Sequence, residues 1–171
     1  MAQTPEARHT GTVCDKLDKN LVRAWKIFDT ITSGKPDSEF MRRDGKPGRT
    51  LKIEFKYLPT LPVRAATLVA PKWQNDLQRE WLGNYYTCDR SSLAVIFVGN
   101  GRTTRCVVFV NKKEWDLGLT KEECERRAIS TKDCALLITY FVTNGEHGAL
   151  PPCFSLSPDG LEVNHAATTI A

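Results

Sequence analysis

Leu93-Ala-Val-Ile-Phe-Val98, Gly99-Asn100-Gly101 and Arg102-Thr-Thr-Arg-Cys-Val-Val-Phe-Val110 form the stretch on which the fold turns. Two runs dense in strand-forming residues are joined by a loop whose glycines can take positive φ, which predicts a β-hairpin. Val95 to Val98 and Val107 to Val110 leave no polar face. Both strands are therefore expected inside a sheet covered on both sides, at its centre.

Upstream, Pro71 suits the first turn of a helix, and Trp73, Leu77 and Trp81 continue it as an apolar stripe ending near Gly83. Tyr85 to Thr87 read as a short strand leading into the hairpin. Before that helix, Leu51, Ile53, Phe55 and Tyr57 alternate with Lys52, Glu54 and Lys56, the pattern of a half-exposed strand. Pro59 and Pro62 break it, and Val63 to Val69 is the expected return strand. Residues 37 to 49 carry the turn dipeptides Asp44-Gly45 and Pro47-Gly48, with a short strand near Glu39 to Arg42. Leu17, Leu21, Ala24, Trp25, Phe28 and Ile31 recur at helical spacing, stopped by Ser33-Gly34-Lys35-Pro36. Residues 1–14 lack periodicity and read as a flexible N-terminal arm.

Downstream, Leu119-Thr120-Lys-Glu-Glu123-Cys124 is a capping box with a hydrophobic staple, opening a helix to about Ala128. Cys134 to Val142 is nearly continuous in apolar residues and reads as a strand closed by Asn144-Gly145. Pro151-Pro152 and Pro158-Asp159-Gly160 punctuate the C-terminal section, which has one weak alternation at Leu161 and Val163; residues 166–171 read as a flexible tail. The expectation is a single α+β domain over residues 15–165, with a largely antiparallel sheet around the hairpin and three helices packed on it.

A chain of 171 residues suits one domain with a real core. No apolar run reaches membrane-spanning length, and residues 1–9 lack a signal-peptide core, so an intracellular protein, cytoplasmic or nuclear, is expected. Cys14, Cys88, Cys106, Cys124, Cys134 and Cys153 show neither a C-x-x-C pair nor close Cys/His spacing, which predicts free thiols rather than a zinc site. His9, His147 and His165 fall in arm, turn and tail, and a Cys134/His147 dyad has no support in spacing. Nucleophile-elbow, P-loop and dinucleotide fingerprints are absent, and Gly99-Asn100-Gly101 precedes a strand rather than a phosphate-binding helix, so no organic cofactor is expected.

The net charge of +4 is concentrated. Between Lys35 and Arg64 stand eight basic and four acidic residues, so this segment alone carries the whole excess. Arg42, Arg43, Lys46 and Arg49 on the loop, Lys52 and Lys56 on the strand, and Arg102 and Arg105 beside the hairpin tip are the candidate nucleic-acid-binding residues, through phosphate contacts. Trp73, Trp81, Tyr85 and Tyr86 have the spacing of core packing rather than of base stacking. These features favour a non-enzymatic basic structural protein that binds nucleic acid, such as RNA, or an anionic surface, and self-associates. In size, charge and layout it is similar to viral capsid or matrix proteins, found in the virion.

The alternative rests on Pro36-Asp37 and, beginning seventeen residues after the aspartate, Glu54-Phe55-Lys56 on the alternating strand. This resembles the core motif of the PD-(D/E)xK nucleases and could span about residues 15 to 98. The resemblance implies that Asp37 and Glu54 hold a divalent metal, Mg2+ or Mn2+, while Lys56 positions the attacking water and steadies charge on the phosphate. Carboxylates supply hard oxygen ligands, and the period of two puts Glu54 and Lys56 on one face of the strand. The two readings separate on geometry: a nuclease brings Asp37 and Glu54 together, whereas a binding protein spreads Arg42, Arg43, Lys46 and Arg49 into an open patch.

Overall fold

The computed structural model describes residues 3–26, 37–73, 75–89, 91–157 and 160–164. The Ser33-to-Pro36 helix stop, Pro158-Asp159, His165 and the expected tail at 166–171 lie outside the described residues. Helix α1 spans Pro5–Asp15; strands β1 (Val22–Lys26), β2 (Ser38–Arg42) and β3 (Leu51–Leu58) follow, then α2 (Asp76–Asp89) and β4 (Ser92–Val98). The second half contains β5 (Arg105–Phe109), α3 (Lys112–Leu117), α4 (Lys121–Arg126), β6 (Ala128–Ser130), α5 (Thr131–Val142), β7 (Phe154–Ser157) and β8 (Gly160–Val163).

The fold is α+β. Six strands form one sheet in the order β1-β2-β3-β4-β5-β6, and β7-β8 is a separate hairpin. Every neighbouring pair is antiparallel except β3 and β4, which α2 connects as a parallel crossover. The hairpin expected at 93–110 is β4 and β5, with Val95 opposite Val108 and Phe97 opposite Cys106. Gly99 and Gly101 take positive φ at its turn. β4 is central and β5 lies one place further out, between β4 and β6.

Two apolar clusters lie on the two faces of the sheet. Leu51, Ile53, Phe55, Leu93, Val95 and Phe97 pack with α1, α5 and the β7-β8 hairpin. Ala94, Ile96, Val107 and Phe109 pack with Leu82 of α2, Trp115 of α3 and Cys124 of α4. At about 25 cal/mol per Å2 of apolar area, burying each of these large side chains is worth roughly 1.5–3 kcal/mol. Strands covered on both sides need apolar residues on both, which is why β4 and β5 show no alternation.

Several elements differ from the sequence expectation. The arm expected at 1–14 contains α1, started by Thr4, whose hydroxyl accepts from the Ala7 amide at 3.3 Å, and by Pro5. Its buried residues are His9, Thr10 and Val13, too few apolar positions to announce a helix. The stripe read as a helix from Leu17 onward includes β1: Val22 is buried, whereas Trp25 is half exposed, so the spacing of three and four marks no common face. Cys134 to Val142 is helix α5, not a strand. Ser130 accepts from the Asp133 amide at 3.1 Å while Asp133 accepts from the Ser130 amide at 3.3 Å, and α5 is apolar nearly all round because it is buried beneath the sheet and the hairpin.

Residues 85–87 belong to α2, and the expected return strand at 63–69 is reduced to one bridge between Val69 and Leu119. Five α-helices stand among the described residues instead of three. The Thr120/Glu123 capping box of α4 is present. β3 carries the largest consequence: it is not half exposed, since Lys52, Glu54 and Lys56 are all buried.

Candidate active site

Burial of the polar side of β3 needs a physical account, because charges removed from water are stable only when paired. Lys52 places its ammonium 3.9 Å from the centre of the Tyr85 ring of α2, a cation–π contact. Glu54 has no solvent exposure, and Oε1 of Glu54 accepts a short hydrogen bond from Nζ of Lys56. Nζ of Lys56 also donates to Oε1 of Gln78 at 3.3 Å, so the ammonium is held between β3 and α2. Gln78 is itself fixed: Asn75 caps the start of α2 by accepting from the Gln78 amide at 2.9 Å.

Asp37 completes the group. The antiparallel register pairs Ser38 with Ile53, so Asp37 stands one step beyond that pair, opposite Glu54, where the two strands part. The Asp37 amide donates to Oε2 of Glu54 at 3.1 Å. Its own Oδ2 is buried and has no donor while Glu54 is ionised; the protonated Glu54 carboxyl shares a hydrogen bond with the Asp37 side chain. A buried carboxylate oxygen without a donor is costly, and it is the expected state of an oxygen reserved for a ligand. The sequence pair Asp37 and Glu54-x-Lys56 is therefore a spatial group.

Electrostatics in the group are strained in one direction. Burial, reinforced by the charge of Asp37, pushes the Glu54 carboxyl up to about 8 in spite of Lys56. Glu6, on the first turn of α1, is also pushed up by burial; Lys56 pulls it down and Asp37 pushes it up. Three acids thus crowd one cation. Among the described residues no three His, Cys, Asp or Glu side chains form a metal cage by themselves. Two hard carboxylates with the remaining positions left to water and substrate oxygens is, however, the ordinary protein share of a Mg2+ site. The buried Asp37 oxygen and the all-oxygen donor set both fit such an ion. A cleft of about 450 Å3 reaches the group from its Lys56 and Glu6 side, lined by Glu6, Lys56 and Tyr57 and by Thr67, Leu68 and Lys72; Asp37 and Glu54 lie behind Lys56 and do not line it.

Of the cations expected to form one patch, Arg42, Lys52 and Lys56 are taken up by the fold, whereas Arg43, Lys46 and Arg49 are exposed on one loop. The Arg42 side chain is only 2% exposed and binds Asp44, Glu146 and the Pro47 carbonyl, pinning the 43–50 loop to the end of α5. Arg43 donates to the Lys19 carbonyl at 3.0 Å, and Arg49 lies 5.6 Å from the centre of the Phe141 ring. Lys46 is exposed, with Nζ 3.9 Å from Glu146. Lys52 and Lys56 are buried under α2, while Arg102 and Arg105 are exposed by the turn of the β4-β5 hairpin.

Glu6 and Gln78 were not singled out in the sequence. Neither is near Lys56 along the chain; only the capped start of α2, signalled by Asn75-Asp76, hints at Gln78. No family model, curated protein or solved structure matches this chain, so the geometry alone carries the functional reading.

Proposed function

We propose that the protein is a metal-dependent nuclease in which Asp37 and Glu54 hold a divalent ion and Lys56 serves the reacting phosphate. The observation that supports it best is the gathering of two carboxyls, Glu54 and the buried Oδ2 of Asp37, beside the Lys56 ammonium. Burying two or three acids against one cation carries a desolvation cost that a bound divalent ion would offset. When bound, Mg2+ or Mn2+ supplies charge neutralisation at the phosphate and a water acidified for attack.

The chain's own residues do the rest. The backbone amide of Asp37 orients Glu54 through Oε2. Gln78 and Glu54 hold the Lys56 ammonium at the floor of the cleft, where it can direct a water or meet negative charge as it grows on the phosphate. Arg42, held by Asp44 and Glu146, is withdrawn from the basic patch that a capsid- or matrix-type binding protein would use; both readings share nucleic acid as partner.

The test is cleavage of labelled single- and double-stranded DNA and RNA with Mg2+ or Mn2+, and again with chelator, by wild type, Asp37→Asn and Glu54→Gln. Scission by wild type with metal, lost in chelator and in both variants, is the expected result. Metal-independent retention of intact strands by all three proteins would instead favour the structural reading.

A further inference from the structure

A second cavity, of about 420 Å3, lies between α1, the turn of the β4-β5 hairpin and the start of α5. Its charged lining residues are all basic: Arg8 and Lys16 from α1 and Arg102 from the turn, with no acid among them. Arg8 and Arg102 are exposed, and neither has an ion-pair partner among the described residues. Nζ of Lys16 donates to Oγ1 of Thr131, the first residue of α5, leaving the Thr131 proton and the other ammonium protons available. The helix end adds little of its own, because Asp133 already occupies it in the capping box.

The independent sign of a ligand is His9. Its ring is 4% exposed, stacked on Tyr57 at 5.7 Å and packed against Phe97 at 5.5 Å, yet its Nε2 is buried with no hydrogen-bond partner. A buried ring nitrogen left bare costs desolvation energy with no return unless something else meets it. His9 is also one of the residues that line the cavity, so a ligand seated there lies against the residue whose ring nitrogen has no partner. Three cations and the Thr131 hydroxyl around one space, with no acid among its lining residues, suit an oxyanion rather than an apolar ligand.

We infer that this cavity is a phosphate-binding subsite built by Arg8, His9, Lys16, Arg102 and Thr131. The inference rests on the nuclease reading for the source of the phosphate. Glu6 and Tyr57 line the cleft of the active site, while Arg8 and His9 line the subsite, so α1 and the Tyr57–His9 stack separate the two. Along α1, Glu6 to Thr12 covers about 9 Å of helix axis. That is a few nucleotides of strand at about 3.4 Å each. The subsite therefore takes a phosphate of the substrate strand a short distance from the scissile one, either an internal diester or a terminal monoester.

The experiment follows the His9 ring nitrogens by NMR in full-length protein with chelator present. Three probes are added in turn: inorganic phosphate, a 5′-phosphorylated oligonucleotide and the same oligonucleotide with a 5′-hydroxyl. Wild type is compared with the Arg8→Ala/Arg102→Ala variant, whose substituted side chains are exposed and whose melting temperature should be unchanged. Expected is a His9 shift with phosphate and with strand in wild type, lost in the variant. Strand binding should weaken about tenfold or more, and its dependence on salt should fall by about two counterions. A shift with both oligonucleotides assigns an internal phosphate; a shift with only the phosphorylated one assigns the terminus. No His9 response, a response unchanged in the variant, or a response to inorganic phosphate alone overturns the inference. Metal-dependent scission is measured separately on wild type: its absence beside an intact His9 response to strand would sink the nuclease reading and leave the subsite standing.

Discussion

Glu54 carries a cost in stability that varies with pH. Its carboxyl titrates near 4.5 when unfolded and near 8 in the fold, so the folded state binds the proton more tightly. Without metal, stability is greatest below about pH 4.5 as far as this group is concerned, and is lost as pH rises towards 8. Glu54→Gln keeps the shape and an acceptor for Lys56 but removes the charge. It should raise stability at pH 7 by up to about 3 kcal/mol, with the gain fading at acid pH, and it should abolish cleavage; melting curves at several pH values check the first claim. Lys56→Met tests the neighbour. It should cut the cleavage rate by about 100-fold or more while the protein still takes up Mn2+, a split that nuclease assays and metal titration would reveal.

At the scale of elements, α5 and the 43–50 loop form the brace behind the sheet. Ser130→Ala removes the cap of α5 and should cost about 1 kcal/mol, read as a lower urea midpoint at constant slope. Gly48 is needed for close approach rather than for its φ: an added Cβ would sit 2.4 Å from the Val142 carbonyl oxygen and 2.7 Å from Cβ of Arg42. Gly48→Ala should therefore destabilise by roughly 1–3 kcal/mol by lifting the loop off α5. α2 acts on the other face. It lies over β3 and supplies Tyr85 to Lys52 and Gln78 to Lys56, converting what would be a wet strand face into a buried polar site.

For the molecule as a whole, metal and fold should be linked. An ion that binds only the folded state at 100 times its dissociation constant adds about 2.7 kcal/mol. For a chain of this length that is a rise of roughly 5–10 °C in melting temperature. Mn2+ should produce this rise in wild type, chelator should reverse it, and Asp37→Asn or Glu54→Gln should remove it. Among the described residues no helix is long and apolar enough to cross a membrane.

Sequence determined what depends on neighbours along the chain. The 93–110 hairpin, the strand at 51–58, the Thr120/Glu123 cap and the spacing of Asp37 to Glu54 and Lys56 are all local patterns, legible from period two, turn glycines and capping residues. Tertiary structure decided whatever depends on which side of an element is covered. Cys134 to Val142 reads equally as a buried strand or a buried helix, because a segment apolar on all sides has no period to betray it. Val22 to Lys26 pairs as a strand because β2 offers it a partner, against its own helical spacing. Lys52, Glu54 and Lys56 are acidic and basic residues on an alternating strand, and only α2, packed above them, makes that side an interior. The same holds for Glu6, His9 and Gln78: each was brought beside the strands by where a helix docked, which no local pattern records.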